Sequence, residues 1–226
     1  MTVAFDQKSA ATSLVNTASG TYTGTANTSI TNGLTLGAFL VFIAVETNTV
    51  PITAVHLDAA GTNQALSVLG AINTPSGGLG RAEIWGLLNP TAVTNKAITL
   101  TSSAVSATVM FYGASFSGVQ SFGTAVTAAS ASGTAGVTVA SNASDIPVAI
   151  MIGVGGSGVT AIPTPTSNTI IFLDNQDMST GSAYLSPGVA SAAFTATGAG
   201  VPWVAVGVDL VAASLALVGA AKLVMM

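Results

Sequence analysis

Cysteine is absent from this 226-residue chain. Its absence excludes disulfides, thiol nucleophiles and thiolate metal sites together. Histidine occurs once, as His56, so no multi-histidine metal centre can form. Charge is equally scarce: 5% of residues are Asp, Glu, Lys or Arg, against roughly 25% in ordinary soluble proteins. The four basic residues, Lys8, Arg81, Lys96 and Lys222, are scattered and outnumbered by eight acids. A phosphate backbone needs clustered cations, so nucleic acid is not an expected partner. The basic and apolar blocks of a signal peptide are missing from Met1–Lys8. Uninterrupted apolar helices are missing as well. Ile146 to Pro163 contains Gly155, Gly156 and prolines, and Val201 to Met226 is broken by Asp209 and Lys222. Neither reads as a membrane span.

What remains is apolar and small. Hydrophobic residues make up 50% of the chain, so the surface must be built largely from Thr, Ser, Asn, Gly and Ala. Such a surface repels weakly and carries few side chains whose ordering is costly. It favours packing against copies of itself, and a homo-oligomer such as a trimer is expected. The length suits one large all-β domain.

Helical periodicity is nearly absent, while β-branched and aromatic runs recur between Gly, Asn, Ser, Thr and Pro clusters. Residues 1–36 read as an arm and a first edge strand. Gly37–Glu46 (GAFLVFIAVE) is apolar on both alternating faces and is expected to be covered on both sides. Pro51–Leu57 and Ala65–Ile72 are expected to pair antiparallel across a turn containing Gly61 and Asn63. Arg81–Leu88, Ala97–Thr101 and Ala107–Phe116 follow. The second half repeats the texture, with Thr124–Thr127, Gly136–Ala140, Ile146–Val154, Thr169–Leu173, Ser182–Leu185, Ala192–Thr197 and Trp203–Val211. In the last strand, alternation buries Val204, Val206, Val208 and Leu210 and turns Asp209 outward. No short internal repeat sets a solenoid or propeller pattern. The predicted fold is all-β: a two-sheet antiparallel β-sandwich, Greek-key or jelly-roll-like, over 37–213, with an apolar tail at 214–226.

Candidate chemistry is thin. Gly153, Gly155 and Gly158 spell a dinucleotide-type glycine pattern, but Pro163 and Pro165 forbid the helix that must follow it. His56 and Asp58 share a strand face, yet no nucleophile elbow accompanies them, and they read as a surface pair at a strand end. Glu46 and Glu83 are the only glutamates; a glycosidase needs two facing carboxylates, whereas Glu83 shares a face with Arg81 and is expected to form a salt bridge. Trp85 and Trp203 lie in apolar strands and read as core or interface residues. Asp174, Asn175 and Asp177 form a weak calcium candidate, short of the six or more oxygens calcium takes. The sequence therefore implies no catalytic residues, no cofactor and a non-enzyme. A hydrolase built on Glu46 and Glu83, or on His56 and Asp58, is the least favoured reading.

The segments AFLVFIAVE (Ala38–Glu46), ITAVHLDAAGTNQALSVLG (Ile52–Gly70), RAEIWGLLNP (Arg81–Pro90), AITLTSS (Ala97–Ser103), ATVMFYGASFSGV (Ala107–Val119), SDIPVAIMIGVGG (Ser144–Gly156) and PWVAVGVDLVAA (Pro202–Ala213) carry a resemblance of pattern. Their order resembles a β-sandwich domain of structural proteins of tailed bacteriophages and of some bacterial surface proteins. The resemblance implies a virion structural protein: a head decoration or cement subunit contacting itself and the major capsid protein or another virion protein, made in the host cytoplasm and located in the phage particle. The alternative it implies is a tail-fibre or spike module that binds a receptor or carbohydrate. On the first reading, the uncharged amino-terminal arm and the tail residues Leu215, Leu217, Val218, Leu223, Val224, Met225 and Met226 are the expected docking segments.

Overall fold

The structure, a computed structural model, describes residues 2–15, 20–24, 28–30, 36–47, 51–75, 80–103, 108–154, 159–164, 168–175, 178–186, 188–198 and 201–214. Where the sequence alternates β-branched and aromatic residues between turn formers, the chain extends, and every strand pairing is antiparallel. The first half supplies β1 (Ala4–Lys8), β2 (Thr12–Val15), β3 (Thr21–Thr23), β4 (Thr28–Ile30), β5 (Gly37–Val45), β6 (Ile52–Leu57), β7 (Gln64–Ala65), β8 (Ser67–Asn73), β9 (Arg81–Leu88), β10 (Val93–Lys96), β11 (Ile98–Ser102) and β12 (Thr108–Ser117). The second supplies β13 (Val119–Phe122), β14 (Val126–Ser130), β15 (Ala135–Ala140), β16 (Ile146–Val154), β17 (Val159–Thr164), β18 (Asn168–Asn175), β19 (Met178–Tyr184), β20 (Ser191–Gly198) and β21 (Trp203–Ala212). The all-β expectation holds.

The two halves have one topology. In the first, β12 pairs β1, β2 and β5, β5 pairs β9, and β9 pairs β8; in the second, β21 pairs β13, β14 and β16, β16 pairs β19, and β19 pairs β18. Opposite these sheets lie β3-β11-β6-β7 and β15-β20-β17. Let β1 with β2 (or β13 with β14) take position 1, and β7 with β8 (or β18) position 5. Each half then runs 1-8-3-6-5 in one sheet and 2-7-4 in the other, with β7 extending the first half's outer sheet to 5. This is the jelly-roll order of two Greek keys, except that position 5 extends the larger sheet beside position 6. The expected two-sheet unit thus occurs twice.

Registers carry the duplication to single residues. Ala38, Leu40, Phe42 and Ala44 of β5 stand opposite Phe116, Ala114, Tyr112 and Met110 of β12. Ile146, Val148, Ile150 and Ile152 of β16 stand opposite Leu210, Val208, Val206 and Val204 of β21 in the same order. All sixteen side chains belong to one buried cluster, so the two larger sheets pack face to face. A second cluster, including Phe39, Val41, Ile43, Leu57, Leu100 and Phe111, fills the space to the first half's outer sheet. A third, including Val137, Met151, Phe194 and Ala205, does the same in the second half. Four sheet layers result. β5 and β16 are buried at every residue, as the two-faced apolar pattern of Gly37–Glu46 requires.

Three sequence expectations are corrected. The expected antiparallel pairing of β6 with the segment from Ala65 is short: β6 pairs β11 and the short β7, the Leu66 N–H donates to the Val55 carbonyl at 2.9 Å, and the chain then crosses to run as β8 beside β9. Leu66 is itself buried, which draws the strand from one sheet to the other. The segment expected as an arm is woven into the fold, with β1 and β2 as edge strands on β12. Both faces of β21 are covered, because the third cluster packs behind it, and Asp209 is buried.

The halves join at Gly118, between β12 and β13. Its φ is +76°, and a Cβ there would lie 2.4 Å from the Thr2 carbonyl oxygen; only glycine fits a left-handed residue against backbone. Across the junction, the Tyr112 hydroxyl donates to Ser182 Oγ. Phe5 stacks on Tyr184 with ring centroids 4.9 Å apart.

Candidate functional site

Every carboxylate that the sequence offered as chemistry, and whose side chain is described, is engaged in holding the fold. Glu83 is fully buried on β9. Its Oε1 accepts from Arg81 Nε and, at 3.3 Å, from the Ile52 backbone N–H; its Oε2 accepts from Trp85 Nε1 at 2.6 Å. The expected Arg81–Glu83 salt bridge is present. Glu46, just past β5, accepts from the Thr108 N–H at 2.8 Å. The two glutamates thus serve separate networks and face no common space.

Asp58 ends β6 with a left-handed φ of 55° and turns into the loop. Its Oδ2 accepts from the Thr62 N–H at 2.8 Å and the Thr62 hydroxyl at 3.1 Å, and its Oδ1 lies 3.3 Å from Lys96 Nζ. The Thr62 backbone hydrogen bond, aided by Lys96, holds this carboxyl below its ordinary value. Asp58 is buried rather than on the surface. His56 Nδ1 has no hydrogen-bond partner, so no His–Asp dyad forms.

Trp85 and Trp203 are core residues, in the second and third clusters; Trp203 Nε1 donates to the Ser132 carbonyl at 3.3 Å. Gly153 lies within β16, Gly155 and Gly158 lie outside the described residues, and the next described segment is strand β17, which contains Pro163. Asp174 and Asn175 end β18, their backbone paired with Ser179 and Met178. Asp177 and the tail residues Leu215, Leu217, Val218, Leu223, Val224, Met225 and Met226 lie outside the described residues. The chain reaches the tail at Ser214, whose N–H meets Gln120 Oε1 at 3.3 Å, one residue after Ala213 bonds to Gly118 at the junction. Among the described residues no three His, Cys, Asp or Glu side chains are grouped to hold a metal.

Sequence reasoning missed a pair of acids. Asp209 on β21 and Asp145 before β16 are both buried. Asp209 Oδ1 accepts from the Ser141 hydroxyl at 2.7 Å. Asp145 accepts from the Ala212 N–H at 2.7 Å and from Asn142 Nδ2 at 2.8 Å. Burial, together with the adjacent Asp145, pushes the Asp209 carboxyl up to about 6, against the pull of the Ser141 hydrogen bond. Alternation placed Asp209 on the right face; only knowledge of a fourth layer would have shown that face to be buried.

The remaining feature is the outer surface. On the first outer sheet, Thr23, Thr99 and His56 stand side by side, as do Thr21, Thr101 and Ala54. On the second, Gly136, Thr138 and Ala140 stand beside Thr195, Ala193 and Ser191. All of these are exposed or half-buried. Both outward faces are small-residue β surfaces without a carboxylate, lysine or arginine among these positions. No protein-family model matches the chain, and comparison with curated protein sequences finds no relative.

Proposed function

We propose that this protein is a non-enzymatic virion structural protein, a capsid decoration or cement subunit acting as a homo-oligomer on the shell of a phage head. Its partners on this reading are its own copies and the major capsid protein or another virion protein. The observation that carries it is the pair of outward sheet faces: arrays of Thr, Ser, Ala and Gly, with His56 among them and no carboxylate, lysine or arginine at these positions. Such faces desolvate cheaply, and their short side chains lose little entropy on contact. The duplicated jelly roll supports the reading by analogy of architecture, since viral capsid domains use that fold. The apolar tail, which follows Ser214 beside the junction, is the further docking segment.

Charge placed on these faces tests the proposal. Thr138→Lys and Thr101→Lys alter exposed positions, so the fold is expected to survive while self-association and shell attachment weaken. Removal of residues 215–226 is expected to have the same effect. Unaltered assembly in all three variants would overturn the proposal. A tail-fibre or spike module is the second reading, favoured by lectin use of the jelly roll and by the placement of Asp174 and Asn175 at the end of β18. Glycan binding lost in Asp174→Ala and Asn175→Ala would select it instead.

A further inference from the structure

The second half of the chain contains a charge problem that it cannot solve with a cation. Between residues 119 and 214 the sequence has no Lys, Arg or His. Yet Asp145 and Asp209 are buried there within hydrogen-bonding reach of each other. Two like charges in such a place repel strongly, and burial of either alone is costly. Their donor sets are unequal. Asp145 receives two N–H donors, from Ala212 and Asn142, the environment of an anion. Asp209 receives one hydroxyl, from Ser141, on Oδ1, which leaves Oδ2 for a proton.

We propose that Asp209 is protonated in the tightly packed state and donates its proton to Asp145, and that this acid pair is a pH-sensitive latch that loosens as the medium turns alkaline. Of the elements packed against β16 and β21, β9 carries Arg81 and Glu83, which are paired with each other. β13, β14, β15, β16 and β20 carry no titratable residue. On β19 only Tyr184 titrates, and burial raises its phenol. Asp174 lies at the far end of β18, opposite Ser179. On β1, Asp6 accepts from Ser115 Oγ at 2.8 Å, and Lys8 sits at the end away from Val3, opposite Ala114.

The pair sits where loosening would be felt. The loop from Ser141 to Asp145 bonds outward in three directions: Ser144 accepts from the Val3 N–H at 2.9 Å, Asp145 accepts from the Gly188 N–H at 3.2 Å, and Ser141 donates to Ala190 at 3.4 Å. It therefore ties β16 and β21 to the neighbouring loop and to the first half of the chain. Loss of the proton leaves two anions side by side and releases that hub.

The sign follows from linkage. A carboxyl raised from 3.8 to about 6 in the folded state contributes stability that is complete below about pH 4. That contribution is lost as pH rises through 6. The test is the unfolding midpoint of the full chain from pH 4 to pH 9, in the native protein and in Asp209→Asn, whose amide can still donate to Asp145. The native midpoint is expected to fall between pH 4 and pH 7, and that fall to be flattened in the variant, which becomes the more stable of the two at pH 8. An equal fall in both proteins overturns the proposal, as does a midpoint at pH 8 that millimolar calcium restores in the native protein alone, since the pair would then be a cation site. Should Asp209→Asn fail to fold, the carboxyl infrared band of the native protein decides: one buried protonated carboxyl at pH 5 that disappears by pH 8 supports the latch, and its absence at pH 5 contradicts it.

Discussion

Glu83 is a buried anion with three donors, all from nearby backbone or from its own strand. Removing it leaves the half-buried Arg81 guanidinium with Asn73 Oδ1 as its acceptor and strands the Trp85 indole N–H. Glu83→Ala is expected to cost about 1–3 kcal/mol in urea unfolding, because the buried Trp85 indole N–H loses its acceptor; a loss well below about 1 kcal/mol would show that water replaces the carboxylate. Asp58 acts with the opposite pH sign to Asp209. Its depressed folded value gives stability above about pH 4 that is lost as pH falls through the folded value. Asp58→Ala is therefore expected to unfold more readily than the native protein at pH 7 and equally at pH 2, read by thermal midpoints. The Arg81–Glu83 pair was legible in the sequence because residues two apart on a strand share a face. The Asp145–Asp209 pair was not, since the partners are brought together by strand pairing across a gap of more than sixty positions.

At the scale of elements, the duplication was hidden by the way its core is filled. Ala38, Leu40, Phe42 and Ala44 correspond to Ile146, Val148, Ile150 and Ile152, and Met110, Tyr112, Ala114 and Phe116 to Val204, Val206, Val208 and Leu210. No position is identical. What is kept is an apolar side chain on the same face, and the bulk shifts from aromatic in one half to β-branched in the other, as close packing of two facing layers permits. The one literal trace is Ala-Ser-Gly-Thr, at 18–21 and again at 131–134. Its glycines, Gly20 and Gly133, both have positive φ and stand just before β3 in one half and β15 in the other. Strand positions were readable from β-branched runs and turn formers. The pairing of β6 is shorter than expected because the turn at Gly61 and Asn63 holds the chain to β6 only as far as Leu66, after which β8 joins the other sheet. Phe42→Ala, at the centre of the shared core, is expected to cost about 3–5 kcal/mol, measured by urea unfolding; a cost near 1 kcal/mol would mean that the two inner sheets can close over the gap.

At the scale of the molecule, both jelly rolls bury their larger sheet against the other. Neither has a finished surface alone. Calorimetry is expected to show one unfolding transition with equal calorimetric and van't Hoff enthalpies, and two separate transitions would refute the shared core. With the interior committed in this way, the two outer sheets leave faces rich in Thr, Ser, Ala and Gly directed outward. An account in which these faces serve assembly predicts a specific behaviour in solution. The measurement that tests it most directly is the mass of the purified protein by light scattering, followed by sedimentation with empty phage shells. A discrete homo-oligomer that co-sediments with the shells is predicted, and a monomer that stays in the supernatant would contradict the account.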